Sequence, residues 1–314
     1  MKKHICLFCA AALLLSLCCG CGQSAAPTGT GKLRAVASAF PEYEFLRAVA
    51  GDRAEVTLLL SPGTEPHSYE PSPQDVIAIQ GSDLFVYGGG ESDVWLDRVL
   101  DAGQRERLYI VSLMDHAVLR EEEVQDHMTA EEEDEGEGPA YDEHVWTSPA
   151  NAIRIVEAIR AQLAALDPAG EAVYTANAAA YTEKLTDLDA RFRQMAADAA
   201  RDELVFGDRF PFLYLVREYG LKYAAAFPGC SSGTDANPAT VTWLIDRVAA
   251  EGIPVIFKCD LSAGRLADTI AEATGAKVLT VYSCHTVSKA DFDAGETYLS
   301  LMERNLTAMT EALN

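Results

Sequence analysis

AGEAVYTANAAAYTEKLTDLDARFRQMAADAA, residues 169–200, contains a single Gly near its start and no Pro. Tyr174, Tyr181, Leu185, Leu188 and Phe192 recur at helical spacing and Ala fills much of the remainder, which predicts one long amphipathic helix. At 1.5 Å per residue it would extend about 45 Å, enough to cross a two-domain molecule. Working outward, the pattern on both sides alternates. Upstream, strands are expected at Leu33–Ala39, Ala54–Leu60, Leu84–Tyr87 and Leu108–Val111. Between them, helices run through Ala50, from the capping box Ser72-Pro73-Gln74-Asp75 to about Gln80, and over Val94–Leu100; a last one runs from Ser148-Pro149 to about Leu166. Downstream, strands are expected at Glu203–Phe206, Lys222–Ala226, Pro254–Cys259 and Lys277–Tyr282. The helices there are Phe212–Tyr219, Pro238–Ala250 behind Asn237, Ala263–Thr274 behind Ser262, and Tyr298–Leu313. Short apolar strands alternating with helices imply parallel sheets covered on both faces. The fold class is therefore α/β: two lobes joined by one long rigid helix, with a cleft where the strand ends of the lobes face each other. The expected boundaries are a leader at 1–20, a tether at 21–32, an N-terminal lobe at 33–166, the linking helix at 167–201 and a C-terminal lobe at 202–314.

The N-terminus reads as a processing signal. Lys2 and Lys3 precede an apolar stretch, Ile5 to Cys18, too short for a permanent membrane span and suited to export. Leu17-Cys18-Cys19-Gly20-Cys21 resembles a lipoprotein cleavage site, with Cys21 as the lipidated residue, although Cys18 stands where Leu is usual. GQSAAPTGTGK at 22–32 has the composition of a flexible tether. The chain of 314 residues carries a net charge of −23, and removing residues 1–20 takes away two lysines to give −25. A surface this acidic argues against nucleic-acid binding, which rests on Lys and Arg, and suits cation collection. Five of the eight cysteines lie at or before Cys21, leaving Cys230, Cys259 and Cys284 in an exported body where a disulfide is permitted. Cys230 with Cys284 and Cys259 with Cys284 are both open pairings. Residues 115–143, acidic and poor in apolar side chains, read as a mobile surface insertion or, through His116 and His127, as a loose metal-collecting loop.

Only five histidines lie outside the leader, and three of them sit in loops at strand ends: His67 in PGTEPHSYEP, His144 in YDEHVWTSP and His285 in VYSCHTVSK. Imidazole suits zinc and other late first-row ions, and a carboxylate completes a four-coordinate site. Asp208 in VFGDRFPF, directly after a strand, is the expected carboxylate. Such a His3Asp set holds a metal without an open position for activated water, so an enzyme is not expected. Glu70 and Glu143, beside ligand histidines, are candidates to accept the second ring N–H. YGGGESD lacks the spacing of a phosphate cradle and reads as a turn that permits close packing.

These elements, GTEPHSYEPSPQDV, ESDVWL, DEHVWTSPANA, LDPAGEAVYTAN and the tail TYLSLMERNLTAM, resemble the substrate-binding lipoproteins of bacterial zinc and manganese ABC transporters over nearly the whole mature chain. The resemblance implies a metal buried between the lobes, ligands at His67, His144 and His285, and delivery to a membrane permease by a monomer anchored on the outer face of the cytoplasmic membrane. It also exposes departures. Aligning Phe212 and Tyr214 with the family's third-ligand segment puts Arg209 at the ligand position, and a shift of one residue gives Asp208. His285 stands where Asp is common, and Glu143 precedes His144 where the family usually has Pro. Nitrogen-rich ligation favours zinc, with manganese or iron as the alternative ion. A secreted zinc hydrolase and a surface adhesin are the competing functional classes.

Overall fold

Leu33–Ala37 (β1) and Leu84–Tyr87 (β3) are nearly all apolar, as strands covered on both faces must be, and they lie side by side in the middle of the first sheet. In the computed structural model, which describes residues 31–100, 105, 108–129, 140–231 and 236–314, Ala54–Leu58 (β2) and Tyr109–Ser112 (β4) flank them. The order is β2-β1-β3-β4, all parallel, with Leu33 opposite Ala54 and Leu84 opposite Tyr109. Glu203–Arg209 (β5), Lys222–Phe227 (β6), Val255–Cys259 (β7) and Lys277–Val281 (β8) repeat the plan as β6-β5-β7-β8, again all parallel. In each sheet the chain starts at an inner strand, steps outward one way and then crosses to the other side. That crossing opens a crevice at the carboxyl ends of the strands.

Several helices begin where a side chain satisfies one of the first N–H groups. Phe40–Ala50 (α1) has Pro41 in its first turn. For Pro73–Gln80 (α2), Ser72 and Asp75 form the reciprocal capping box. A short helix, Leu96–Val99 (α3), follows. Ser148 caps Pro149–Leu166 (α4) and Asn237 caps Pro238–Glu251 (α7), while Leu213–Tyr219 (α6) starts without a side-chain cap. Arg265–Thr274 (α8) starts two residues later than expected, because Ser262 Oγ accepts from Gly264 N and Gly264 takes a left-handed φ of 70°. Lys289–Asp293 (α9), capped by Ser288, was not expected, and Tyr298–Leu313 (α10) closes the chain behind Thr297.

The long helix is Glu171–Asp198 (α5), 28 residues, or about 42 Å. Tyr174, Ala178, Leu185, Leu188, Phe192 and Met195 form its buried stripe. At one end Asn177 Nδ2 donates to Val49 O of α1 at 3.0 Å, and at the other Phe192 stacks on Tyr219 of α6. One apolar core runs unbroken from Phe45 and Trp146 through Leu185 and Phe192 to Phe206, Phe212 and Met302. Each fully buried large side chain in it contributes about 1.5–3 kcal/mol. Separating the lobes would expose that shared core, so wide hinge opening is disfavoured.

The leader, Cys21, the tether up to residue 30 and residues 130–139 of the acidic insertion lie outside the described residues. The described parts of the insertion correct the expectation of a solvated loop. Glu121 and Tyr141 form an antiparallel bridge at its base. Beyond it, Gln125 Nε2 donates to Tyr223 O, Thr129 N donates to Ala226 O at 2.9 Å, and Met128 is buried. Composition suggested solvation, but a few contacts bind this strap to the C-terminal lobe. Among the described residues no helix is long and apolar enough to cross a membrane.

Candidate metal centre

The loop after β2 is stiffened by Pro62 and Pro66 and turned by Gly63 (φ 89°). A single helical turn, Pro66–Ser68, presents His67. Glu143 and His144 enter from the segment before α4, whose start at Pro149 is fixed by the Ser148 cap. His285 follows β8 on a turn in which Cys284 adopts φ 58°, an unfavourable angle for a side chain with a Cβ. The N-terminal lobe holds that turn by three carbonyls. Trp146 Nε1 donates to Ser283 O at 2.9 Å, Phe40 N to His285 O at 3.4 Å and Gly63 N to Val287 O at 2.8 Å.

The result is convergence. His67, His144 and His285 have ring centroids 5.1–5.6 Å apart. One nitrogen of each ring and one oxygen of Glu143 lie within 4.8 Å of one another. Tetrahedral zinc, with bonds near 2.0–2.1 Å, places its ligand atoms about 3.3 Å apart, so a contraction of roughly 1.5 Å at most completes the shell. Trp146 packs against His285 at 4.7 Å between centroids and against His144 at 5.4 Å, shielding the site from below. A cavity of about 60 Å³, lined by Pro66, the three histidines, Arg209 and Cys259, forms the mouth.

Hydrogen bonds orient the donors. Glu143 Oε2 accepts Ser92 N at 2.9 Å, and its Oε1 accepts Ser92 Oγ at 2.5 Å while lying 3.2 Å from His67 Nδ1. Burial would raise the Glu143 carboxyl, but the hydrogen bond to His67 and the three nearby imidazoles hold it far below the usual carboxylate range. Asp142 Oδ1 accepts the His144 backbone N at 2.8 Å and faces His144 Nδ1 at 3.2 Å. That contact assigns the Nδ1–H tautomer and frees Nε2 for a metal. Burial works to depress His144, yet the Asp142 charge and hydrogen bond lift it above the ordinary histidine value. His285 is driven well below that value by burial, only partly countered by Glu143, so its ring is neutral. Its buried Nδ1 has no hydrogen-bond partner, a state that costs about 1–3 kcal/mol unless something binds it. Three imidazoles and a carboxylate make a borderline-soft donor set suited to zinc.

Gly90 supplies the room. A Cβ there would lie 2.3 Å from Glu143 Cβ and 2.4 Å from its Oε2. The glycine run thus lets the backbone approach the carboxylate.

Three of the four expected ligands meet; Asp208 does not join them. A bulge between Phe206 and Arg209 puts one extra residue into β5 and turns the Asp208 carboxylate to the backbone, where it accepts Arg209 N at 2.9 Å and Cys259 N at 3.1 Å. Glu143, expected beside the ligands, stands among them instead. Glu70 is not near an imidazole: its carboxylate is taken by Arg98 at 2.8 and 2.9 Å on the surface. Neither disulfide pairing forms, since Cys230, Cys259 and Cys284 are all free thiols. The Cys284 Sγ contacts Tyr282 O and that of Cys259 contacts Arg209 O. His116 is exposed in a helical turn after β4, and His127 stacks on Trp243 at 3.5 Å, far from an open collecting arm. The reading of residue types missed Ser92 and Asp142; only the position of Asp142 two residues before His144 signalled a role.

The model of a family described as "Zinc-uptake complex component A periplasmic" (ZnuA) matches residues 35–312. Over 99% of the chain, the protein is 35% identical to the zinc-binding lipoprotein AdcA of Streptococcus pneumoniae, of which it spans only 61%. It is 33% identical to the high-affinity zinc uptake system protein ZnuA of Bacillus subtilis, covering 99% of this chain and 98% of that one. Among solved structures, the Zn(II)-bound ZnuA-like domain of S. pneumoniae AdcA superposes with a TM-score of 0.74 at 34% identity, over 90% of this chain and 99% of that chain. The laminin-binding protein Lmb of Streptococcus agalactiae, described as bifunctional with adhesin and metal-transporting activity, gives 0.76 at 26% identity, over 90% and 100% of the two chains.

Proposed function

The chain belongs to the ZnuA family of zinc-uptake components, and from that premise we propose that it is an extracytoplasmic binding protein that captures zinc between its lobes and delivers it to an ABC transporter permease. The observation that carries this reading is the convergence of His67, Glu143, His144 and His285 on one point. We assign these four as the ligands, with zinc as cargo in preference to manganese or iron. Ser92 and Asp142 hold two of them in place. The division into a leader at 1–20, a tether at 21–32, lobes at 33–166 and 202–314 and a linking helix at 167–201 belongs to the same proposal. So do lipidation at Cys21, anchoring to the outer face of the cytoplasmic membrane and action as a monomer.

Capture requires deprotonated ligands, so zinc loading displaces protons. Glu143 and Asp142 together balance the two positive charges of the ion. The site binds; it offers no base poised toward a substrate, and turnover is not part of the proposal. Elemental analysis of mature protein purified without added metal, followed by calorimetric zinc titration, tests the reading. About one zinc per chain is expected, with binding abolished in His67→Ala and His285→Ala. Absence of zinc binding in the wild type, or equal binding by all the ligand variants, refutes it.

A further inference from the structure

We propose that Arg209 is a positioning residue that clasps the His67 loop shut over the metal and sets how fast the ion leaves; the inference rests on the metal-site reading above. Arg209 ends β5 in the C-terminal lobe. Its guanidinium reaches the opposite lobe and grips Glu65 with two prongs, Nη2 to Oε2 at 2.9 Å and Nη1 to Oε1 at 3.2 Å. Glu65 sits two residues before His67, and its Oε1 also faces the His67 backbone N at 3.4 Å. One carboxylate therefore ties the ligand's own turn to the other half of the molecule.

Both ends of the clasp are braced. The Arg209 backbone N donates to Asp208 Oδ1, its carbonyl receives the Cys259 thiol, and Nη1 also donates to Ser231 O at 3.2 Å. The carboxylate that sequence suggested as a ligand thus anchors the residue that holds the door. Glu65 and Arg209 line the same cavity mouth as the three histidines. The same loop is also tied to the far lobe by the backbone bond from Gly63 N to Val287 O. Arg209 itself binds no cation.

The test uses zinc-loaded mature protein with Glu65→Gln, Arg209→Gln, Arg209→Lys and the exchanged double variant E65R/R209E. Zinc release into excess chromophoric chelator is followed by stopped flow, alongside the association rate and the melting temperature without metal. A partly exposed two-pronged ion pair predicts release about three- to tenfold faster in the neutralised single variants. Association stays close to wild type, Arg209→Lys is intermediate because a point charge replaces the fork, and the exchanged pair moves back toward wild type. Neutralised variants that bind zinc normally and release it at the wild-type rate overturn the clasp alone. An exchanged pair as fast as the singles overturns it as well. A wild type that binds no zinc overturns the site reading and the clasp together.

Discussion

Replacing Asp142 by Asn separates two effects of a single contact. In the wild type the Asp142 carboxylate, 1% exposed, faces His144 Nδ1 at 3.2 Å and holds the His144 backbone N at 2.8 Å. The variant keeps the shape and one oxygen but removes the charge that fixes the tautomer and strengthens the ring as a ligand. Loss of such an outer partner weakens metal affinity about 10–100-fold, which is about 1.4–2.8 kcal/mol. The same charge is what lifts His144 above the ordinary histidine value against the effect of burial. A raised histidine is the better proton acceptor, so at pH 6 protons compete with zinc more strongly in the wild type than in the variant. The full deficit should therefore appear at pH 8 and shrink toward pH 6, and the number of protons released on loading near pH 6.5 should fall by up to one. Competition titrations against a chelator of known affinity at pH 6, 7 and 8 read both quantities. Wild-type affinity at pH 8, or a deficit of the same size at both ends of the range, refutes the assignment of Asp142.

Asp208→Asn should destabilise the protein by about 1–3 kcal/mol, because a buried carboxylate that serves two backbone N–H groups is lost. Its zinc affinity should stay within about threefold of wild type, well short of the loss expected at a ligand or its partner; denaturant melts and zinc titrations check both halves. Gly90→Ala places a methyl 2.3 Å from Glu143 Cβ. The overpacking should lower stability by about 1–3 kcal/mol, and zinc affinity should fall at least as far as in Glu143→Gln in the same titration. Burial, with the Glu143 charge nearby, pushes Asp93 up to about 7. A carboxyl raised in the folded state lends stability at low pH that is lost as pH rises from about 4 through 7. Metal-free Asp93→Asn should thus be more stable than wild type at pH 8, on the order of 1–2 kcal/mol, with the difference vanishing near pH 4, as followed by urea melts across pH.

Much of the framework was legible because local chemistry and global fold agree. The spacing of Leu185, Leu188 and Phe192 announced the long helix, and Ser72-Pro73, Ser148-Pro149 and Asn237-Pro238 marked helix starts that tertiary context had no reason to move. The three histidines were legible because each lies in a loop at strand ends that the topology brings together. Asp208 was misplaced for a reason that spacing cannot reveal: one bulged residue in β5 decides which side chain faces the cleft, and it gives that place to Arg209. Glu143 was assigned a supporting role since adjacency to a ligand is what an outer partner also shows. Its turn into the site depends on Ser92 and Gly90, more than fifty residues away in sequence. Acidic composition concealed the anchoring of the 115–129 segment because a few contacts, such as Met128 and Thr129, outweigh an otherwise polar run.

The distribution of the proposed ligands between the lobes bears on how such a site can both hold and surrender an ion. His67, Glu143 and His144 come from the N-terminal lobe, and His285 alone from the other. Yet the His285 turn is fastened to the N-terminal lobe through Trp146, Phe40 and Gly63, and the apolar core passes from one lobe into the other without a gap. Three ligands are therefore pre-positioned in a rigid frame, which spares the ordering entropy that binding would otherwise have to overcome. The remaining one, His67, stands in a short loop between exposed Glu65 and buried Pro66 on one side and exposed Ser68 on the other. Rigidity elsewhere makes that loop the place where motion is least costly, since of residues 61–68 Pro66 alone is buried. Retention and release then reduce to the state of one loop and the ion pair across it, with no need for the lobes to part.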